Sequence, residues 1–216
     1  MDDFRSARMA MIDSQLRSSG VTERRLIAAF ADVPREIFVA EGRKAVAYVD
    51  DLQPLASGQR FILSPAHFGR IAQLAEIGES SRVLDVGAAS GYSTAVLARI
   101  GGQVVGIEVD AILAARANDH LAQLGVENAS VVAGGIEALA EQLFDAIVVE
   151  GAVDAEPPEL IQLLAMGGRL VVPILRRGIA VIHVFHRNHD GVMFTSEFDA
   201  TIPRLWSWAQ KDEFVF

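Results

Sequence analysis

The chain has 216 residues, 51% of them apolar, with no cysteine and a formal net charge of −9. A chain of this size forms one domain, or one domain with an added lobe, around a sizeable core. Without cysteine it has no disulfide framework, thiolate nucleophile or cysteine metal site, and its acidic balance gives no general attraction for nucleic acid.

The first residues, Met1-Asp2-Asp3-Phe4-Arg5, lack the positive start and apolar run of a secretory signal. No apolar stretch reaches the roughly 18 residues of a membrane span. A cytoplasmic protein, monomer or homodimer, with no membrane contact is expected. Helical spacing is visible around Met9, Ile12 and Leu16, and again around Leu26, Ile27 and Phe30. Thr22-Glu23 opens the second helix and Val33-Pro34 ends it. Residues 48–64 read as loop, punctuated by Pro54, Ser57 and Gly58. A helix follows from Pro65 to about Ile77, with Phe68, Ile71, Leu74 and Ala75 on one face.

From Arg82 onward strands and helices alternate. Val83–Val86, Val104–Ile107, Ala129–Val132, Phe144–Val149 and Arg169–Ile174 are near-continuous apolar runs. Between them lie helical stretches over Thr94–Ile100, from Asp110 to Leu124, and from Pro157-Pro158 to a stop at Gly167-Gly168. Such runs belong to a parallel sheet covered on both faces. Ile179–Phe185 and Val192–Phe198 flank Asn188-His189-Asp190-Gly191, an antiparallel hairpin signal. The expected fold is therefore α/β: a doubly wound, mainly parallel seven-stranded sheet with an antiparallel edge hairpin and an N-terminal helical lobe. Residues 1–80 form that lobe and 81–216 the ligand-binding core, packed as one compact unit.

The run Val83-Leu84-Asp85-Val86-Gly87-Ala88-Ala89-Ser90-Gly91-Tyr92 is a strand, an acid, a glycine-spaced turn and a helix start. It lets backbone approach a ligand at the end of a parallel strand. The glycine that would admit a pyrophosphate in the middle of a dinucleotide fingerprint is absent, which argues against a dinucleotide. The pattern Asp-x-Gly-x-x-x-Gly resembles motif I of class I S-adenosylmethionine-dependent methyltransferases. That resemblance implies a Rossmann-like core binding S-adenosyl-L-methionine. Gly87, Ala89, Gly91 and Tyr92 would line the methionine part. Asp85 would meet its ammonium or hold the turn. Glu108, after the second strand, would accept from the ribose hydroxyls, with Val109 beside it. Ile136 would pack on the adenine, with Glu137 as its acid or as an ordinary first-turn acid. A turn-forming Asp85 and a helix-capping Glu108 are the plain structural readings of the same residues.

The lead-in narrows the likeness. Met11-Ile12-Asp13-Ser14-Gln15-Leu16-Arg17, Gly20-Val21-Thr22, Val33-Pro34-Arg35-Glu36-Ile37-Phe38-Val39, Pro54-Leu55 and Gly58-Gln59 resemble the N-terminal part of protein-L-isoaspartate O-methyltransferases. Phe144–Val149 and Gly167-Gly168-Arg169-Leu170-Val171-Val172-Pro173 extend the match to about residue 175. The family is implied to methylate the α-carboxylate of isoaspartyl residues in damaged proteins, so the expected partner is a protein or peptide carrying isoaspartate, or another small carboxylate. A carboxylate is ionised at pH 7 and needs no general base.

This chain departs from the family at three places. The substrate loop Gly-Gln-Thr-Ile-Ser-x-Pro is here Gly58-Gln59-Arg60-Phe61-Ile62-Leu63-Ser64-Pro65. Arg60 is then a carboxylate clamp or a solvated loop arginine, and Ser64 a substrate hydroxyl or a helix N-cap. Glu150, where the family has threonine, faces the cofactor pocket, repelling an anion, meeting a cation, or pairing with an arginine. Gly134-Gly135 stands for Gly-Asp-Gly. A diverged cofactor-binding homologue, or a methyltransferase for a different small molecule, is the alternative reading. His183, His186 and His189 alternate faces of a strand and make no metal site. The aromatic tail Trp206–Phe216 packs on the core, covers the pocket or makes a dimer contact.

Overall fold

A computed structural model describes residues 2–55, 59–139 and 142–205. Gly58 and the tail 206–216 lie outside the described residues. The N-terminal part comprises α1 (Asp2–Met11), continued by a π-helical turn Ile12–Leu16, and α2 (Arg24–Asp32). It goes on through two 3₁₀ turns at Arg35–Ile37 and Glu41–Val46, the short antiparallel pair β1 (Gln53–Pro54) and β2 (Phe61–Ile62), and α3 (Pro65–Leu74). The core follows as β3 (Arg82–Val86), α4 (Tyr92–Ala98), β4 (Gln103–Glu108), α5 (Ala111–Gln123), β5 (Ala129–Ala133), β6 (Phe144–Val149), α6 (Pro158–Gln162), β7 (Leu164–Arg176), β8 (Ile179–Asn188) and β9 (Gly191–Ala200).

The seven core strands form one sheet in the order β5-β4-β3-β6-β7-β8-β9. β5 to β7 are parallel, and β8 and β9 antiparallel. The fold class expected from the sequence is the one observed. Adjacent residues of β3 feed different cores. Val83 packs with α3, α4, α5 and the N-terminal helices, whereas Leu84 and Val86 pack with Leu160, Leu164 and Leu205. The first core runs continuously from Met11 to Ile202.

Two local expectations are corrected. The stretch 48–64 is not all loop: Gln53 and Pro54 pair with Ile62 and Phe61. Gly167-Gly168 does not close a helix. The helix ends at Gln162, and the glycines form an irregularity inside β7, where Leu164 faces Phe144 and Arg169 faces Ala146. Gly167 takes φ +80°, and a Cβ on Gly168 would meet Phe144 O at 2.9 Å. These two positions therefore require glycine. The last hairpins turn on two residues each, Arg177-Gly178 at φ +53° and +86°, and His189-Asp190. β9 is the outer strand, and its Val192, Met193 and Phe194 are exposed. No helix among the described residues is long and apolar enough to cross a membrane.

Candidate active site

The C-terminal ends of β3, β4 and β6 each carry a buried acid: Asp85, Glu108 and Glu150. Asp85 sits on the face that receives α4. Its Oδ2 accepts from Ser93 Oγ at 2.7 Å and Thr94 Oγ1 at 2.6 Å, while Oδ1 is buried without a partner. Burial pushes this carboxyl up to about 6, with the two hydroxyls pulling the other way.

The turn after β3 is made by Gly87 at φ +84°, Ala89 at +51° and Gly91 at +92°. Gly91 must be glycine on two counts: its φ, and Ala117 Cβ only 2.9 Å from where a side chain would start. The turn amides are used internally. Gly87 N and Ala88 N donate to Ile107 O at 2.9 and 3.1 Å, Ala89 N to Glu108 Oε2 at 2.8 Å, and Gly91 N to Ala88 O at 2.8 Å. Residues 87–89 therefore present no free amide to a phosphate, unlike a phosphate-binding loop.

Glu108 is nearly inaccessible, and both oxygens are engaged. Oε1 accepts from Asp110 N at 3.0 Å, and Oε2 from Ala89 N. Oε2 also accepts from Arg60 Nε at 3.1 Å and, in a very short contact, from Arg60 Nη2. The helix cap of α5 is Asp110, whose Oδ1 accepts from Ile112 N and Leu113 N. Arg60 is neither solvated nor free: it is buried against Glu108, and a Cβ on Gly87 would lie 3.2 Å from its Nη2 and 2.9 Å from Leu205 Cδ1. Arg60 and Leu205 thus stand directly over the glycine turn. Leu205 is held there by its N–H to Ala152 O, 2.8 Å.

Glu150 makes no ion pair with an arginine among the described residues, and its Oε1 is buried without a partner. Burial, then the proximity of Asp85, raises this carboxyl well above the ordinary range; Arg35 and Arg60 oppose the rise. Arg35, fully buried, donates from Nε to Ala47 O at 2.8 Å and from Nη2 to Leu63 O at 2.7 Å, and its guanidinium stands 4.6 Å from the centre of the Tyr92 ring. Burial lowers the Arg35 pKa. Arg35 and Leu205 were not singled out from the sequence. Arg35 lies inside the family-like stretch Val33–Val39, which is the one signal that could have marked it; Leu205 has none.

The other sequence candidates fall around this cluster unevenly. Tyr92 turns into an aromatic group with Phe30, Phe38 and Phe68, centroids 5.5 to 6.3 Å away. Val109 is 49% exposed, and Ile136 packs half-buried against the second core. Ser64 caps α3, accepting from His67 N at 3.4 Å, and its Oγ lies 3.0 Å from His67 Nδ1. Glu137 is exposed, accepts from Gly135 N at 2.9 Å, and its carboxyl is lowered by backbone hydrogen bonds. A separate cleft of about 520 Å³ between α2 and α3, lined in part by Leu26, Gln73 and Ile77, carries no buried charge.

The donor set suits a nucleoside with an amino-acid tail and no phosphate. A carboxylate stands at the end of β4 for a diol, and an unpartnered buried carboxylate oxygen stands at the end of β3 for an ammonium. In the turn between them the amides of Gly87, Ala88, Ala89 and Gly91 are already used.

Known proteins resemble this chain in sequence and in fold. A family profile described as Protein-L-isoaspartate(D-aspartate) O-methyltransferase matches residues 6–202. A protein-L-isoaspartate O-methyltransferase from Koribacter versatilis is 40% identical over 186 residues, covering 85% of this chain and 83% of that one. One from Syntrophobacter fumaroxidans is 35% identical over 218 residues, covering 96% and 99%. Among solved structures, a protein-L-isoaspartate O-methyltransferase superposes with a TM-score of 0.80 at 23% identity over 91% of this chain, which spans 65% of that protein's length. A Plasmodium falciparum structure described as of this type, in complex with S-adenosyl-L-homocysteine, gives 0.76 at 22% identity over 94% and 97%.

Proposed function

The chain belongs to the protein-L-isoaspartate O-methyltransferase family, and from that premise we propose that it methylates the α-carboxylate of isoaspartyl residues in damaged cytoplasmic proteins. The family match over residues 6–202 carries this reading. S-adenosyl-L-methionine supplies an electrophilic methyl group when bound. On the side of the chain, Glu108 is the acceptor for the ribose hydroxyls, and Asp85 Oδ1 the acceptor for the ammonium. The turn Gly87–Gly91 gives backbone the close approach that side chains would block. Ile136 flanks the adenine, and Glu150 lies at the end of β6, next to Asp85. The segment 1–80 contributes the substrate side, through the loop from Arg60 to Ser64, and 81–216 the cofactor side.

The reacting carboxylate is already ionised at neutral pH, so no residue has to remove a proton. The work left to the protein is alignment and exclusion of water, which together supply several kcal/mol of such barriers. The buried Asp85, Glu108 and Glu150 mark a site from which water is largely excluded. The test is methyl transfer to a peptide containing isoaspartate against its aspartyl twin. Transfer to the isoaspartyl peptide alone is expected; equal transfer to both, or to neither, overturns the reading.

A further inference from the structure

Glu108 is assigned to the ribose diol in the reading above, on which this inference rests. In the structure one oxygen of that carboxylate is crowded. Each carboxylate oxygen offers about two acceptor positions, and Oε2 receives Ala89 N, Arg60 Nε and Arg60 Nη2, while Oε1 receives Asp110 N. The two amides are fixed by the turn and by the start of α5, so they stay. The two guanidinium contacts come from a long side chain 48 residues away in sequence, and they are the ones a pair of hydroxyls can replace. The steric relation points the same way, because Arg60 Nη2 occupies the space immediately over Gly87.

A guanidinium that leaves Glu108 remains charged, since arginine does not lose its proton in proteins. It needs an anionic partner. Arg60 is anchored through its own carbonyl, which accepts Leu55 N at 2.8 Å. The backbone therefore stays, and the side chain turns about that point. It lies at the head of the loop that runs through Phe61 and Ile62 to the Ser64 cap, on the substrate side of the turn. The nearby acids compete poorly. Glu150 is held toward its neutral form by burial, and Asp85 carries two hydroxyls on Oδ2 and, in the reading above, the cofactor's ammonium on Oδ1. An incoming carboxylate, by contrast, matches the planar fork of the guanidinium in a bidentate pair.

We infer that Arg60 is a positioning and specificity residue that serves two anions in turn: it holds Glu108 until the cofactor's ribose takes its place, and the released guanidinium then binds the substrate's carboxylate. The arginine replaces, by charge, the hydroxyl recognition implied for this loop elsewhere in the family. It also makes the carboxylate site conditional on the cofactor. If the Arg60–Glu108 pair is closed nine-tenths of the time, the apparent affinity for the cofactor is lowered about tenfold, and opening the pair by mutation restores it.

The experiment is titration calorimetry with S-adenosyl-L-homocysteine and a short isoaspartyl peptide, on wild type and Arg60→Gln. Wild type is expected to bind the peptide only when S-adenosyl-L-homocysteine is present. Arg60→Gln is expected to bind S-adenosyl-L-homocysteine about tenfold more tightly, as a fully opened pair requires. In its presence the variant is expected to bind the peptide at least about tenfold more weakly, the loss of a charge-assisted pair. Tighter or equal peptide binding without S-adenosyl-L-homocysteine in wild type overturns the inference, as does unchanged or weaker S-adenosyl-L-homocysteine binding in Arg60→Gln. Should Arg60→Gln not fold, the wild-type peptide titration with and without S-adenosyl-L-homocysteine decides alone. Failure of the underlying reading is a separate result: no S-adenosyl-L-homocysteine binding to wild type or variant.

Discussion

Thr94 Oγ1 donates to Asp85 Oδ2 at 2.6 Å, tying the end of β3 to the first turn of α4 across the glycine turn. The bond consumes one oxygen of a fully buried carboxylate and leaves the other unpartnered. That imbalance sets the first expectation.

Asp85 has its pKa raised from 3.8 to about 6, chiefly by burial. A carboxyl raised on folding binds more protons folded than unfolded between those values. Its contribution to stability therefore falls as pH rises from about 4 to about 6, and is fully unfavourable above that. The cost at neutral pH is on the order of 3 kcal/mol. Asp85→Asn keeps an acceptor for Ser93 and Thr94 and removes the ionisation. Chemical denaturation from pH 4 to 8 is expected to show the variant gaining on wild type as pH rises, with weaker binding of S-adenosyl-L-homocysteine. A constant difference in stability across that range would disprove the assignment.

Glu108→Gln tests the acid at the end of β4. The amide still accepts from Ala89 N but leaves the buried Arg60 without its counter-charge. Breaking one side of a buried pair costs about 3 kcal/mol. Affinity for S-adenosyl-L-homocysteine is expected to fall about ten- to a hundredfold, the worth of hydrogen bonds to a charged group. Thermal unfolding and calorimetry read the two effects separately, and an unchanged affinity would remove Glu108 from the cofactor site.

Ala89 holds φ +51° inside the glycine turn. An L-residue there costs roughly 1–2 kcal/mol, and glycine's extra unfolded-state entropy offsets roughly 0.5–1 of that. Ala89→Gly is therefore expected to gain up to about 1 kcal/mol, a rise of about 2–4 °C in Tm for a chain this long. A fall in Tm would show that the methyl group packs usefully.

Arg35→Met preserves the stem of the side chain and strips its donors. The carbonyls of Ala47 and Leu63 then lose their Arg35 hydrogen bonds. At roughly 1–3 kcal/mol for each unsatisfied buried group, a loss of about 2–6 kcal/mol is expected in denaturant unfolding. No loss would mean that water replaces the guanidinium.

The parallel strands were legible because each is a short, near-continuous apolar run alternating with helical stretches. Glu108 could be placed at a strand end by counting from Gly87. β1 and β2, at two residues each, are too short to show a period. Gly167-Gly168 misled because a helix stop and a strand irregularity ask for the same residue. Arg60 was visible only as a loop arginine with two open readings, and its partnership with Glu108 spans 48 positions. Local pattern carries no information about a contact made by tertiary packing. Arg35 is a similar case, since a charged residue is read as surface until the fold encloses it.

The outer strand β9 has a bearing on how the protein behaves in the tube. Its ten residues end the sheet, with Val192, Met193 and Phe194 exposed next to an edge that no described strand pairs. Such edges join to one another when nothing keeps copies apart. At neutral pH a net charge of −9 does so by mutual repulsion. That repulsion vanishes near the sequence pI of about 5.0. Light scattering is expected to show particle growth as concentrated samples approach that pH. Lysine at Met193 should suppress the growth, so the working buffer is set by the last strand rather than by the active site.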